Sequence, residues 1–369
     1  MWVFYPVFAG LTAFTILQTP KEWWSSKRMR IVQTIIHVVG FLSLLLLITV
    51  FYKMDDNARF AVTVVATFYF VLLMTALEVS IVRLIAFYTV RHISHKGAAN
   101  FFGRKRLFFI LIIVLSLAQT GAGWYNVESL VITPYSMNVD KSAEVSDFRV
   151  ALIADTHIGA GASKQQLDNI VSKVNSTNSD VLILAGDVVD SSTSLSDIEY
   201  LVNCLKQVNC PSGIYYAEGN HDYQCHYDIV PYLKEAGVIC LKDEAYLTDK
   251  GVAILGRALN STVSLSTVKS EFSISNDVPC VAIQHGPTGL KSLSNDCDLV
   301  VCGHTHGYGK PLDAFIYPVQ FDEPCGMKYI GNMAAVTTAG ASAWGVRYKW
   351  PGRSDVVQID MHFNGEAAK

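Results

Sequence analysis

Arg149-Val150-Ala151-Leu152-Ile153-Ala154-Asp155-Thr156-His157 is a short apolar run that stops on a carboxylate and an imidazole. The pattern recurs downstream. Residues 181–185 run into Gly186-Asp187, 214–217 into Gly219-Asn220-His221-Asp222, 281–284 into His285-Gly286-Pro287, and 299–302 into Gly303-His304-Thr305-His306. Apolar runs of this length between turn-forming residues predict buried strands. Residues 252–255 predict another, and 335–338 and 356–361 close the set. Between the early strands, 164–175 and 197–208 predict amphipathic helices, with Ser163 and Ser196 as N-caps. The expected domain is a layered α/β sandwich flanked by helices, with ligands beyond the carboxyl ends of its strands.

Core packing gives no reason to place Asp, His and Asn at five strand ends. Metal chemistry does. Imidazole and carboxylate together suit Zn, Mn or Fe, and a carboxylate can bridge two ions. Two such ions clamp a phosphoryl group and activate a water for in-line attack. A serine-hydrolase elbow, Gly-x-Ser-x-Gly, is missing, and so is a phosphate-cradling Gly-x-x-x-x-Gly-Lys-Ser/Thr loop.

The N-terminal part has another composition. Residues 1–138 hold 12 Lys/Arg against 5 Asp/Glu, a net of +7, and the remainder carries −10. Stretches 1–20, 31–52, 60–77 (continuing past Glu78 to 82) and 107–127 lack charge and are long enough to span a bilayer, which takes roughly 20 residues. In the first, Trp2 and Tyr5 fit an interfacial anchor better than a signal peptide. Lys21, Lys27, Arg28 and Arg30 crowd the first loop; Arg83, Arg91, Lys96, Arg104, Lys105 and Arg106 crowd the third. Basic loops stay cytoplasmic, so the acidic half is expected on the exoplasmic side of the cell membrane. His37 and Glu78 are the strongly polar groups at membrane depth, too few for an ion path. The expected division is a transmembrane bundle of about four helices over 1–128, a polar linker over 129–146, and a catalytic domain over 147–369. The low charge fraction, 17%, argues against an ordinary soluble enzyme, and the global charge argues against a nucleic-acid partner.

The order Asp-x-His, Gly-Asp, Gly-Asn-His-Asp, a lone His before Gly-Pro, then Gly-His-Thr-His resembles the calcineurin-like metallophosphoesterases over about residues 147–361. With the membrane half it is similar to the subgroup of transmembrane proteins with a metallophosphoesterase domain. The resemblance implies two divalent ions (Mn, Fe or Zn). Asp155, His157 and His306 would hold one, Asn220, His285 and His304 the other, and Asp187 would bridge them. It implies that His221 protonates the leaving oxygen, and Asp222 is expected to orient His221. Asp190 is expected to cap a turn.

Two departures bear on substrate. Gly307-Tyr308-Gly309 stands where the subgroup often has Gly-Gly-Gln, and Gly256-Arg257-Ala258 where it often has Gly-x-Asp-Asp. Arg257 is either a phosphate-binding group or a loop charge. The stretch 308–329, with Phe315, Tyr317, Pro318 and Phe321, is either a rim over the site or ordinary loop packing. The eight cysteines, Cys204, Cys210, Cys225, Cys240, Cys280, Cys297, Cys302 and Cys325, could form up to four disulfides outside the cell, or sit as small buried hydrophobes. The expected activity is hydrolysis of a phosphodiester or pyrophosphate bond in a lipid or lipid-linked substrate. The alternatives are a tethered phosphatase for soluble nucleotides or phosphomonoesters, and a membrane scaffold that only binds.

Overall fold

The computed structural model describes residues 4–19, 26–93, 101, 104–307 and 313–364. Trp2, Lys21, Lys96 and Tyr308 lie outside them. The chain divides into two compact units, residues 1–50 with 54–122, and residues 51–53 with 123–369.

The first unit is helical: α1 (Phe4–Gln18), α2 (Lys27–Thr49), α3 (Asp56–His92) and most of α4 (Lys105–Glu128). Three of these, α2, α3 and α4, are long and apolar enough to cross a membrane, and α1 is shorter. At 37 residues and about 1.5 Å per residue, α3 exceeds a bilayer core. Ile35, Val38, Leu111 and Val114 point outward, as a lipid-facing surface requires. His37 Nδ1 lies 3.1 Å from the Tyr69 hydroxyl, which also meets Thr12 Oγ1 at 2.8 Å. The imidazole is thus a satisfied interhelical contact.

Two six-stranded sheets build the second unit. One has the order β1 (Val131–Val139), β12 (Asp355–Phe363), β2 (Asp147–Ile153), β3 (Val181–Leu184), β4 (Ile214–Tyr216), β5 (Val238–Cys240). The other has the order β10 (Gly326–Ile330), β11 (Met333–Thr337), β9 (Leu299–Cys302), β8 (Cys280–Ile283), β7 (Ala253–Gly256), β6 (Glu244–Leu247). Side chains alternate across each strand. Val150, Leu152 and Ile183 therefore meet Ile254, Val281, Ile283 and Val301 in the core between the sheets. Ala151, Ile153, Leu182 and Leu184 pack on the other face against α5 (Lys164–Ser176) and α6 (Leu195–Leu205). Ala253, Leu255, Ala282 and Val300 pack behind the second sheet with α8 (Leu265–Glu271), which follows the short α7 (Val230–Glu235). Burial on both faces explains why the central strands are unbroken apolar runs.

Within the stretch expected to be a linker, residues 131–139 form a strand. β1 pairs in parallel with β12 across its full length and stands at the sheet edge, where the missing N–H of Pro134 breaks no ladder. Ser163 caps α5 as expected, but the α6 cap is Ser194 rather than Ser196. Its hydroxyl accepts from Asp197 N, and the Asp197 carboxylate accepts from Ser194 N, closing a capping box.

Candidate metal centre

Strands β2, β3 and β4 run parallel in one sheet, and β8 and β9 in the other, so their carboxyl ends deliver the five motifs to one place. Two clusters result. Ligand atoms of Asp155, His157 and His306 lie within 4.8 Å of one another, and so do those of Asp187, His285 and His304.

The turns that aim these groups are strained. Asp155, His157, Asp187, His304 and His306 all have positive φ, from 45° to 76°, a region that non-glycine residues seldom occupy. Such outliers persist only where surrounding contacts over-determine them. Gly219 is one reason they can: a Cβ there would run into the Asp187 carboxylate and backbone.

Each ligand is then locked. The Asp155 carboxylate accepts from His304 N at 2.9 and 3.1 Å. His285 Nδ1 faces the Ala185 carbonyl at 2.8 Å. A carbonyl only accepts, so Nδ1 carries the proton and Nε2 presents its lone pair to the site. That Nε2 stands 3.1 Å from Asp187 Oδ2 and 3.2 Å from His304 Nδ1. Three electron-rich atoms this close need a proton or a cation among them. His157 Nε2 and Asn220 Oδ1 are buried and hydrogen-bond to nothing among the described residues. Buried polar atoms are normally satisfied, so these two orphans and the strained carboxylates fit a cation-binding set. The donor types suit Mn, Fe or Zn.

Burial dominates the electrostatics. It raises Asp155 to about 6, partly offset by the nearby imidazoles and the His304 N–H. It would raise Asp187 too, but His285, His157 and His221 outweigh it and hold that carboxyl below its usual range. His304 is pushed down to about 4, by burial and by His285.

One expectation needs correction. Asp222 does not turn toward His221. Its Oδ2 accepts from Asp187 N, Gly219 N and the Tyr216 hydroxyl, and its Oδ1 from Val188 N and Val189 N, at 2.8–3.1 Å. With five donors on it, the carboxylate braces the loop that carries Asp187. Arg257 spends its guanidinium on Gln284 Oε1, the Ser261 carbonyl and the Val263 carbonyl. Through these contacts it braces its own loop, while its Nε is buried without a hydrogen bond among the described residues. Asp190 does more than cap a turn: Oδ1 accepts from Ser192 N and Oγ, while Oδ2 lies 3.2 Å from His157 Nδ1. Sequence reasoning missed that pairing, and it missed Trp344, whose ring lies 4.7 Å from that of His221. Within 308–329, Tyr317 packs edge-on against Phe321, which meets the His304 ring at 5.6 Å. That places part of the stretch at the site.

Residues 148–308 match the family model described as calcineurin-like phosphoesterase. The match takes in 161 of the chain's 369 residues, and over them the chain is similar to that family. An uncharacterised metallophosphoesterase of Campylobacter jejuni is 26% identical over 70% of this chain and 70% of its own length. A transmembrane protein with metallophosphoesterase domain from Danio rerio is 26% identical over 60% of this chain and 55% of its own length. A shorter match, 31% identical over 22% of this chain and 25% of the relative, is to a UDP-2,3-diacylglucosamine pyrophosphatase of Chlamydia muridarum.

Proposed function

We propose that the protein is a membrane-anchored phosphoesterase that hydrolyses a phosphodiester or pyrophosphate bond in a lipid or lipid-linked substrate. Two ligand clusters, one containing Asp187 and the other bringing His157 Nε2 to 3.8 Å from Asp187 Oδ2, carry the phosphoesterase part of this reading. Asp155, His157 and His306 would hold one cation, His285, His304 and Asn220 the other, with Asp187 between them. When bound, two such ions neutralise phosphoryl oxygens and make water nucleophilic near neutral pH. The chain's own residues do the rest. His221, whose backbone N–H is tied to Asp187 Oδ1 at 2.7 Å, donates a proton to the leaving oxygen. Asp190 and the Ala185 carbonyl hold His157 and His285 in the ligating tautomers, and Asp222 keeps the Asp187 loop in place.

The lipid part rests on connectivity. Two residues, 129 and 130, separate α4 from β1, so the domain follows directly on an apolar helix. The Chlamydia relative, named for a pyrophosphatase of a diacylated sugar nucleotide, points the same way over a short match. The basic first and third loops support the reading that the domain lies on the exoplasmic side of a multi-pass protein. A tethered phosphatase for soluble nucleotides, or a scaffold that only binds, are the competing readings.

The full-length protein in detergent, loaded with Mn, is assayed on an aryl phosphodiester, an aryl monoester and extracted membrane lipid. Release of phosphate or phosphomonoester from the lipid fraction is expected. Turnover of monoesters and nucleotides alone would favour the tethered phosphatase, and no turnover at all the scaffold. Asp187→Asn is expected to abolish activity and reduce bound metal; unchanged metal content and turnover would sink the site assignment.

A further inference from the structure

We infer that Trp344 is a positioning residue that holds the His221 imidazole in line with the leaving oxygen, an inference resting on the reading of His221 as general acid. Three other imidazoles of the site face polar atoms of neighbouring residues: His157 Nδ1 lies 3.2 Å from Asp190 Oδ2, His285 Nδ1 faces the Ala185 carbonyl, and His306 Nδ1 the Ser342 carbonyl at 3.4 Å. For His221 the polar contact is with Gln224, whose side chain is exposed, and the carboxylate next to it in sequence, Asp222, is committed to the Asp187 loop. Two rings restrict its orientation further. His157 meets it edge-on at 5.2 Å, and the Trp344 indole covers it at 4.7 Å with a 37° tilt.

The segment that delivers the indole is pinned on both sides. Before Trp344, Ala341 N donates to the Ala154 carbonyl at 2.8 Å, and Gln166 Nε2 donates to the Ala341 carbonyl at 3.2 Å. After it, Arg347 Nη1 reaches Glu128 Oε1 at 2.7 Å, and the Lys349 carbonyl accepts from Asn126 Nδ2 at 3.1 Å. The Lys349 ammonium is fully buried and donates to the Ala339 and Gly340 carbonyls, closing the base of the loop. A buried lysine spent on two backbone oxygens makes sense where backbone placement matters. Trp344 itself stays half-exposed over the site. Proton donation in a transition state depends on alignment, and displacement of about 1 Å costs on the order of a hundredfold. A rigid aromatic plate against the imidazole supplies that alignment without lowering its ability to give up a proton.

The test uses the full-length, Mn-loaded protein and two diesters of similar shape, bis(4-nitrophenyl) phosphate and diphenyl phosphate. Nitrophenolate leaves without help, whereas phenolate needs an acid more. Trp344→Ala is expected to lower kcat for diphenyl phosphate roughly tenfold or more, with KM little changed, and to leave bis(4-nitrophenyl) phosphate within about threefold. Trp344→Phe is expected to restore most of the loss. Added to His221→Gln, Trp344→Ala is expected to cost nothing further, because both act on one step. Metal content by atomic emission and the melting temperature are expected to stay at the wild-type value. Equal losses on both diesters, additive losses in the double variant, or lost metal would overturn the inference. Should His221→Gln spare diphenyl phosphate, the acid reading itself fails. Should His221→Gln be selective and Trp344→Ala not, only the role of Trp344 fails.

Discussion

Asp222 shows how much a single carboxylate can govern from beside a site. Its oxygens collect the N–H groups of Asp187, Val188, Val189 and Gly219 and the Tyr216 hydroxyl. Asp222→Asn keeps the shape but turns one acceptor into a donor facing donors. The expected cost is roughly 2–3 kcal/mol of stability, since hydrogen bonds to a charged group are lost and buried N–H groups are stranded. Because those N–H groups set the Asp187 loop, metal affinity is expected to fall about 10–100-fold, as when the support of a ligand is removed. Thermal melting and metal content check the two parts separately. His285 sets the pH dependence of loading. Burial alone would lower it, but the hydrogen bond and charge of Asp187 more than reverse this and push it up to about 9. Below that value a cation has to displace the imidazole proton, so affinity is expected to rise with pH toward 9. The slope is about tenfold per unit for one proton released. Metal titrations at pH 6.5 and 8.5 give the sign; affinity that is flat or falls with pH would contradict it.

At the scale of elements, the α6 cap makes a sharp comparison. Ser194→Ala removes an N-cap and half of a capping box, an expected loss of about 1 kcal/mol, or roughly 2–4 °C in melting temperature for a domain of this size. Ser196→Ala, two residues on, is expected to change almost nothing, and the reverse result would move the helix start. The pair also shows where sequence reading stops. Ser194 and Ser196 are equally plausible caps in the string Thr193-Ser194-Leu195-Ser196-Asp197, and the capping box decides between them. The central strands were legible because both of their faces are buried, which leaves a run of Val, Leu, Ile and Ala. The four strands that escaped detection, β1, β5, β6 and β10, are the four sheet edges. Edge strands carry exposed and polar side chains such as Glu244, Tyr246, Lys328 and Tyr329, and their pattern is diluted accordingly. The ligand residues were legible for the opposite reason: they interrupt apolar runs with chemistry that packing cannot use. The neighbours of the ligand candidate His157 and of the acid candidate His221, Asp190 and Trp344, lie 33 and 123 positions away in the chain, and nothing local marks them.

For the whole molecule, charge asymmetry and thiol chemistry bear on one question, the side of the membrane on which the domain works. All eight cysteines are unpaired. Burial raises Cys280 to about 12, and thiols this poorly ionised resist oxidation and labelling. The disulfides considered from sequence are therefore not part of the fold; Cys204, Cys280, Cys297 and Cys302 are buried, and the other four are partly exposed. Gel mobility is expected to be the same with and without reductant. In the proposed topology the basic residues around the start of α2 and the end of α3 would share the cytoplasmic side if α2 and α3 both cross, and α4 would then carry the chain to the other side. A maleimide that cannot cross a bilayer is expected to label Asp249→Cys in intact cells, because Asp249 is exposed on the phosphoesterase domain. The same reagent is expected to label His92→Cys, exposed at the end of α3, only after permeabilisation, with the unsubstituted chain giving the background of native thiols. Neither substitution removes a Lys or Arg, so the charge pattern that orients the bundle is left intact. Labelling of His92→Cys but not Asp249→Cys in intact cells would place the domain in the cytoplasm, and a lipid substrate would then have to be met in the inner leaflet.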